Sequence, residues 1–188
     1  IPDSVTRIED EVFKDCSSLT NVTIPDSVTR IEDETFRGCS SLTSVTIGDS
    51  VTSIGGHAFR YCSSLTSVTI PDSVTSIGDK AFNGCESLIT LKFEDPASVT
   101  SIGSHVFYNC SSLASVTIPG SVTSIGTYAF LGCSSLKSVS LPESLITIGD
   151  GAFSGTGLES IEIPNSVTSI GGDAFTGSLN LVSVTIPN

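Results

Sequence analysis

The chain predicts a β-rich α/β solenoid. The expected form is a right-handed coil of eight repeats of about 23 residues, with a parallel sheet on one face and short extended and 3₁₀ segments on the other. Three observations carry this. Phenylalanine recurs at Phe13, Phe36, Phe59, Phe82, Phe107, Phe130, Phe153 and Phe175. Leucine follows at Leu19, Leu42, Leu65, Leu88, Leu113, Leu136, Leu158 and Leu181. Between them β-branched residues alternate with Ser and Thr, as in a strand with one buried face. A fixed period of this length marks stacked units that bury their apolar sides only against neighbours.

Within one period each element has a local cause. In 65–70, apolar Leu65, Val68 and Ile70 are interleaved with Ser67 and Thr69, which predicts a strand ended by Pro71, a residue with no amide proton for a ladder. Pro71, Asp72 and Ser73 form a turn. Val74 and Ile77 point inward from a second short extended stretch, and Gly78 allows a bend. Residues 79–82 are expected to form one helical turn, of 3₁₀ type. Asn83 and Gly84 turn the chain again before Cys85 and the next strand.

The repeats are read as 1–23, 24–46, 47–69, 70–92, 93–117, 118–140, 141–162 and 163–185, with a ninth beginning at 186–188. Two residues are added near 95–96 and one is lost near 156–157, both as changes of loop length. Stacked strands about 4.8 Å apart would give a body roughly 40 Å long. One repeat could not be stable alone, because the roughly 1.5–3 kcal/mol from each large buried side chain must offset chain entropy. No polar cap closes either end, and there is no signal-type segment, no apolar run of about 18 residues and no methionine. The expectation is a single solenoid that is a fragment of a longer protein.

A formal charge of −12 argues against nucleic acid and anionic lipid as partners. Low charge content with 55 Ser and Thr residues predicts a neutral hydroxyl surface bearing acidic stripes. No Ser/His/Asp arrangement, phosphate-binding loop or metal-ligand cluster is legible, so no enzyme and no cofactor are expected.

The stretch 65–85 reads Leu-x-x-Val-x-Ile-Pro-x-Ser-Val-x-x-Ile-Gly-x-x-Ala-Phe-x-x-Cys. This resembles the BspA-like (Treponema-type) leucine-rich-repeat family over the whole chain. Departures are Glu9 and Glu32 where glycine is usual, and the missing cysteine in the last two repeats. The resemblance implies a leucine-rich-repeat coil, curved or gently twisted. It also implies a secreted or cell-surface protein used in attachment to host molecules or other cells.

Cys16, Cys39, Cys62, Cys85, Cys110 and Cys133 share one repeat position. Six cysteines could close three disulfides, but a single column flanked by core positions predicts free buried thiols, with Ser178 in the same small slot. His57 and His105 share a slot also filled by Glu11, Glu34, Lys80, Tyr128, Gly151 and Asp173, a variety that predicts a solvent-facing position rather than a metal site. The column Asp3, Asp26, Asp49 and Asp72 suits turn formation, with calcium as the other reading.

Two rows should cover the outward face of the sheet. One is Thr23, Thr46, Thr69, Lys92, Thr117, Ser140, Glu162 and Thr185; the other is Asn21, Ser44, Ser67, Thr90, Ser115, Ser138, Ser160 and Ser183. They are the candidate binding face for a protein or glycan on a host or neighbouring cell; the alternative is that threonine simply suits strands. Asn21 and Asn109 match the N-glycosylation acceptor pattern. The function expected is a surface or secreted adhesion module. A structural arm or filament subunit that self-associates is the alternative, and ice or crystal binding through Ser67/Thr69 and Ser73/Thr75 a remote one.

Overall fold

A computed structural model describes residues 1–186; residues 187 and 188 of the expected ninth repeat lie outside them. The odd-numbered strands are β1 (Asn21–Ile24), β3 (Ser44–Ile47), β5 (Ser67–Ile70), β7 (Thr90–Phe93), β9 (Ser115–Thr117), β11 (Ser138–Ser140), β13 (Ser160–Glu162) and β15 (Ser183–Thr185). Between them lie two-residue strands: β2 (Arg30–Ile31), β4 (Ser53–Ile54), β6 (Ser76–Ile77), β8 (Ser101–Ile102), β10 (Ser124–Ile125), β12 (Thr147–Ile148) and β14 (Ser169–Ile170). All pairings are parallel, and Asn21 opposite Ser44 or Ser67 opposite Thr90 sets the register at one period. The result is a parallel β-solenoid of about seven turns. The sequence expects eight repeats; the difference arises at the first period, where residues 7–8 form no second-face strand.

The phenylalanine column is a file of stacked rings. Consecutive centroids are 5.2–5.7 Å apart and interplanar angles are 1–18°. That is offset stacking, the arrangement aromatic quadrupoles favour. Six of the eight rings are fully buried, and the end rings Phe13 and Phe175 are only partly covered. The leucine column and the inward valines and isoleucines pack around this file.

The α/β part of the expectation does not hold. No helix is present among the described residues, and 79–82 form turns instead of a 3₁₀ segment. The reason lies in the backbone: Lys80 has φ of 59°, and Glu11, Glu34, His57, His105, Tyr128, Gly151 and Asp173 are also left-handed. A left-handed residue interrupts any run of helical dihedrals. Alternate amides then leave the local turn: Lys80 N–H donates to Ser104 O and Phe82 N–H to Val106 O, both in the following coil. The intervening Ala81 N–H donates back to Gly78 O, and Asn83 N–H to Lys80 O. The turn face is thus held by a third set of bonds between coils.

The length changes coincide with breaks in pairing. The second-face strands divide into β2-β4-β6 and β14-β12-β10-β8, on either side of the insertion at 95–96. There β7 meets β9 only at Thr90 and Ser115. The first-face sheet runs β1-β3-β5-β7-β9-β11 and breaks before β13, across the deletion at 156–157.

Candidate ligand-binding face

Strand alternation places the two expected rows outside. In β5, Ser67 and Thr69 are exposed while Val68 and Ile70 are buried, and the same pattern puts every residue of both rows in solvent. Only Asn21 among them uses its side chain internally, donating from Nδ2 to Thr20 Oγ1 at 3.2 Å. Neighbouring hydroxyls behave differently. Thr43 and Thr66, one position before the strands, donate to Thr20 O and Thr43 O. Ser73 donates to Val51 O at 2.7 Å and Thr75 to Thr52 O at 3.1 Å, so the Ser73/Thr75 pair is committed to the backbone of the previous coil. Among the described residues the hydroxyls of the sheet face therefore remain available, whereas those of Thr43, Thr66, Ser73 and Thr75 beside it do not.

The rows are interrupted at Lys92, and there the surface is concave. A cavity of about 420 Å³ is lined by Lys92, Ser115 and Thr117 together with Glu94, Asp95 and Gly120. Glu94, Asp95 and Gly120 escaped the sequence reading, which took the insertion as loop length alone. The signal is present in the two added residues, since they fall between β7 and β9, beside the only lysine of the rows. Glu162, the other interruption, lines a smaller hollow with Ser140 and Glu143.

The cysteines are free, and Cys39, Cys62, Cys85, Cys110 and Cys133 are buried, whereas Cys16 in the first coil is exposed. Each buried thiol donates to the carbonyl of the phenylalanine one coil back, at 3.1–3.3 Å. Burial pushes Cys85 and Cys133 up to about 12. Further along the column Ser178 makes the same bond, donating to Phe153 O one coil back at 2.8 Å, whereas the Thr156 hydroxyl donates to Phe153 O of its own coil at 2.9 Å. The slot thus selects a small hydrogen-bond donor, a role that the reading of cysteine as an apolar filler missed.

His57 and His105 are half-buried, whereas Glu11, Tyr128 and Asp173, with the same left-handed backbone in the same slot, are exposed. Of the acidic column, Asp26 accepts from Asp49 N–H at 2.8 Å, a bond to the following coil and not within its own turn. A separate column does the same: Asp33 caps Gly56 N–H, Asp79 caps Ser104 N–H and Asp150 caps Gly172 N–H. Among the described residues no three His, Cys, Asp or Glu side chains gather as a metal site. No helix there is long and apolar enough to cross a membrane. Asn21 and Asn109 are both exposed.

Stacked coils, a file of aromatic rings and one continuous strand face define a leucine-rich-repeat scaffold, a repeat class and not an enzyme class. The chain belongs to the BspA type leucine rich repeat family, whose model matches residues 1–113 and 100–188 in six copies. Among solved structures it is similar to a leucine-rich repeat protein from Bacteroides ovatus, at 38% identity and a TM-score of 0.91 over 100% of this chain and 48% of that one. A T. pallidum leucine rich repeat protein is 35% identical, with a TM-score of 0.72 over 78% of this chain and 67% of that one. A leucine rich cell surface protein from Faecalibacterium prausnitzii is 35% identical, with a TM-score of 0.59 over 97% of this chain and 57% of that one. The chain spans about half the length of the Bacteroides ovatus protein. Comparison with curated proteins finds no match.

Proposed function

We propose that the chain is a non-catalytic cell-surface or secreted binding module, and that the strand face engages a protein or glycan in adhesion. The observation that carries this reading is the hydrogen-bond accounting. Thr43, Thr66, Ser73 and Thr75 beside the sheet are tied to carbonyls, whereas the serines and threonines on it keep their donors and acceptors for a partner. Rigid spacing set by the parallel register gives such a face geometric selectivity. The cavity at Lys92 supplies a local anchor point where charge, hydroxyls and concavity coincide. The similarity to a leucine rich cell surface protein supports a surface location.

The test is binding to immobilised extracellular-matrix proteins and a glycan panel. Wild type is compared with a variant carrying Thr46→Lys, Thr69→Lys and Thr117→Lys, with circular dichroism confirming that both are folded. Loss of capture by the variant supports the strand face; undiminished capture removes it from consideration.

A further inference from the structure

We propose a second, independent ligand site on the turn face, built by Arg60, Lys80, Asn83 and Tyr108 and suited to a saccharide bearing a single carboxylate. These residues line one cavity of about 340 Å³, of the size of a small-ligand pocket.

Four observations converge. First, cations elsewhere on this face are neutralised and these are not. In the first two coils Lys14 bonds Glu11 and Glu34 at 3.2 and 2.7 Å, and Arg37 bonds Glu34 at 2.9 Å. In the third coil the glutamate position is His57, so Arg60 has no carboxylate partner, and neither does Lys80, among the described residues. This occurs in a chain with 20 acidic side chains. Secondly, Asn83 is only 6% exposed and lines the cavity, and its side-chain amide, which keeps contact with solvent, makes no hydrogen bond within the described residues. Thirdly, Arg60 Nε is buried and also without a partner. Fourthly, aromatic surface flanks the cations: the Arg60 guanidinium lies 4.4 Å over the Tyr61 ring and donates from one terminal nitrogen to the Tyr61 hydroxyl at 2.6 Å, leaving Nε and the other terminal nitrogen, and His105 packs 5.7 Å from Tyr108.

The buried, unpaired Arg60 Nε–H costs free energy that a ligand acceptor would recover. Guanidinium binds carboxylate as a fork, the ammonium adds a point charge, and aromatic faces and amides suit a sugar's C–H surface and hydroxyls. Glu86, also on the rim, accepts from a hydroxyl and repels a second anionic group. Together with the net charge of −12, this selects a monoanionic sugar over a polyanion.

The experiment is a titration of the intact chain with sialyllactose, followed by calorimetry and by NMR shifts of residues around Arg60. Lactose and sodium acetate serve as controls. Saturable binding by sialyllactose is expected, weaker by about tenfold or more for lactose and in the Arg60→Gln and Lys80→Gln variants, as loss of one charge-assisted bond implies. The Thr46→Lys, Thr69→Lys, Thr117→Lys variant should bind as wild type, which separates this site from the strand face. Absence of saturable shifts near Arg60, or equal affinity for lactose or acetate, overturns the proposal.

Discussion

The Sγ of Cys85 lies 3.2 Å from the carbonyl oxygen of Phe59, and each buried thiol of the column likewise hooks its coil onto the aromatic of the coil before. The same bond joins Cys62 to Phe36 and Cys133 to Phe107. A thiol held this way, buried and with its ionisation pushed far above the ordinary range, is a poor nucleophile.

Reaction with a thiol-specific disulfide reagent at neutral pH should therefore modify Cys16 alone in the native state and all six cysteines under denaturant. Fast native-state modification of Cys85 or Cys110 would contradict the buried column.

Phe82→Ala should lower unfolding free energy by about 3–5 kcal/mol, because it removes a fully buried ring stacked on both sides. Phe175→Ala should cost distinctly less, since that ring is partly exposed and stacks on one neighbour only. Urea denaturation of the two variants checks the ranking.

Gly84 has φ of 75°, and a Cβ there would meet the Tyr61 ring at 2.6 Å. Gly84→Ala should destabilise by about 1–2 kcal/mol from the left-handed backbone, with the collision adding to it. Gly120 has open space around it and ordinary φ, so Gly120→Ala should be neutral or slightly stabilising. Melting temperatures that fall equally for both would show that the turn geometry is misassigned.

Glu34 is held at about 2, first by its hydrogen bond from Lys14 and then by that from Arg37. Its folded value lies below the unfolded one, so it stabilises the fold at neutral pH. That contribution declines as pH falls from about 4.5 towards 2. Side-chain NMR titration should show this depressed midpoint, and Lys14→Met should move it upward. Both groups touch solvent, so the effect should shrink in high salt.

Much of this architecture is legible in the chain because each inward position carries one residue type at one interval. Phe82, Leu88 and Val68 are named by period alone, and the exposed rows follow by alternation. The turn face was not legible. Its left-handed position holds Glu11, His57, Lys80, Tyr128 or Gly151, and no shared side chain announces the dihedral. Variety there was read as free solvent exposure, whereas the constraint lies in the backbone bonds to the next coil. The donor role of the cysteines is not carried by their spacing; it lies in the thiol bonds themselves and in Ser178, whose hydroxyl makes the equivalent bond to Phe153 O. The cavities at Lys92 and Arg60 depend on gaps between coils, which periodicity averages away.

The hook from Cys62 to Phe36 is the same as that from Cys39 to Phe13, and each reaches only the adjacent coil. A module so joined carries its own plug and socket. Duplicating or deleting one such block in the gene would create a junction chemically identical to those already there, so chain length can vary in evolution while each surviving joint stays intact.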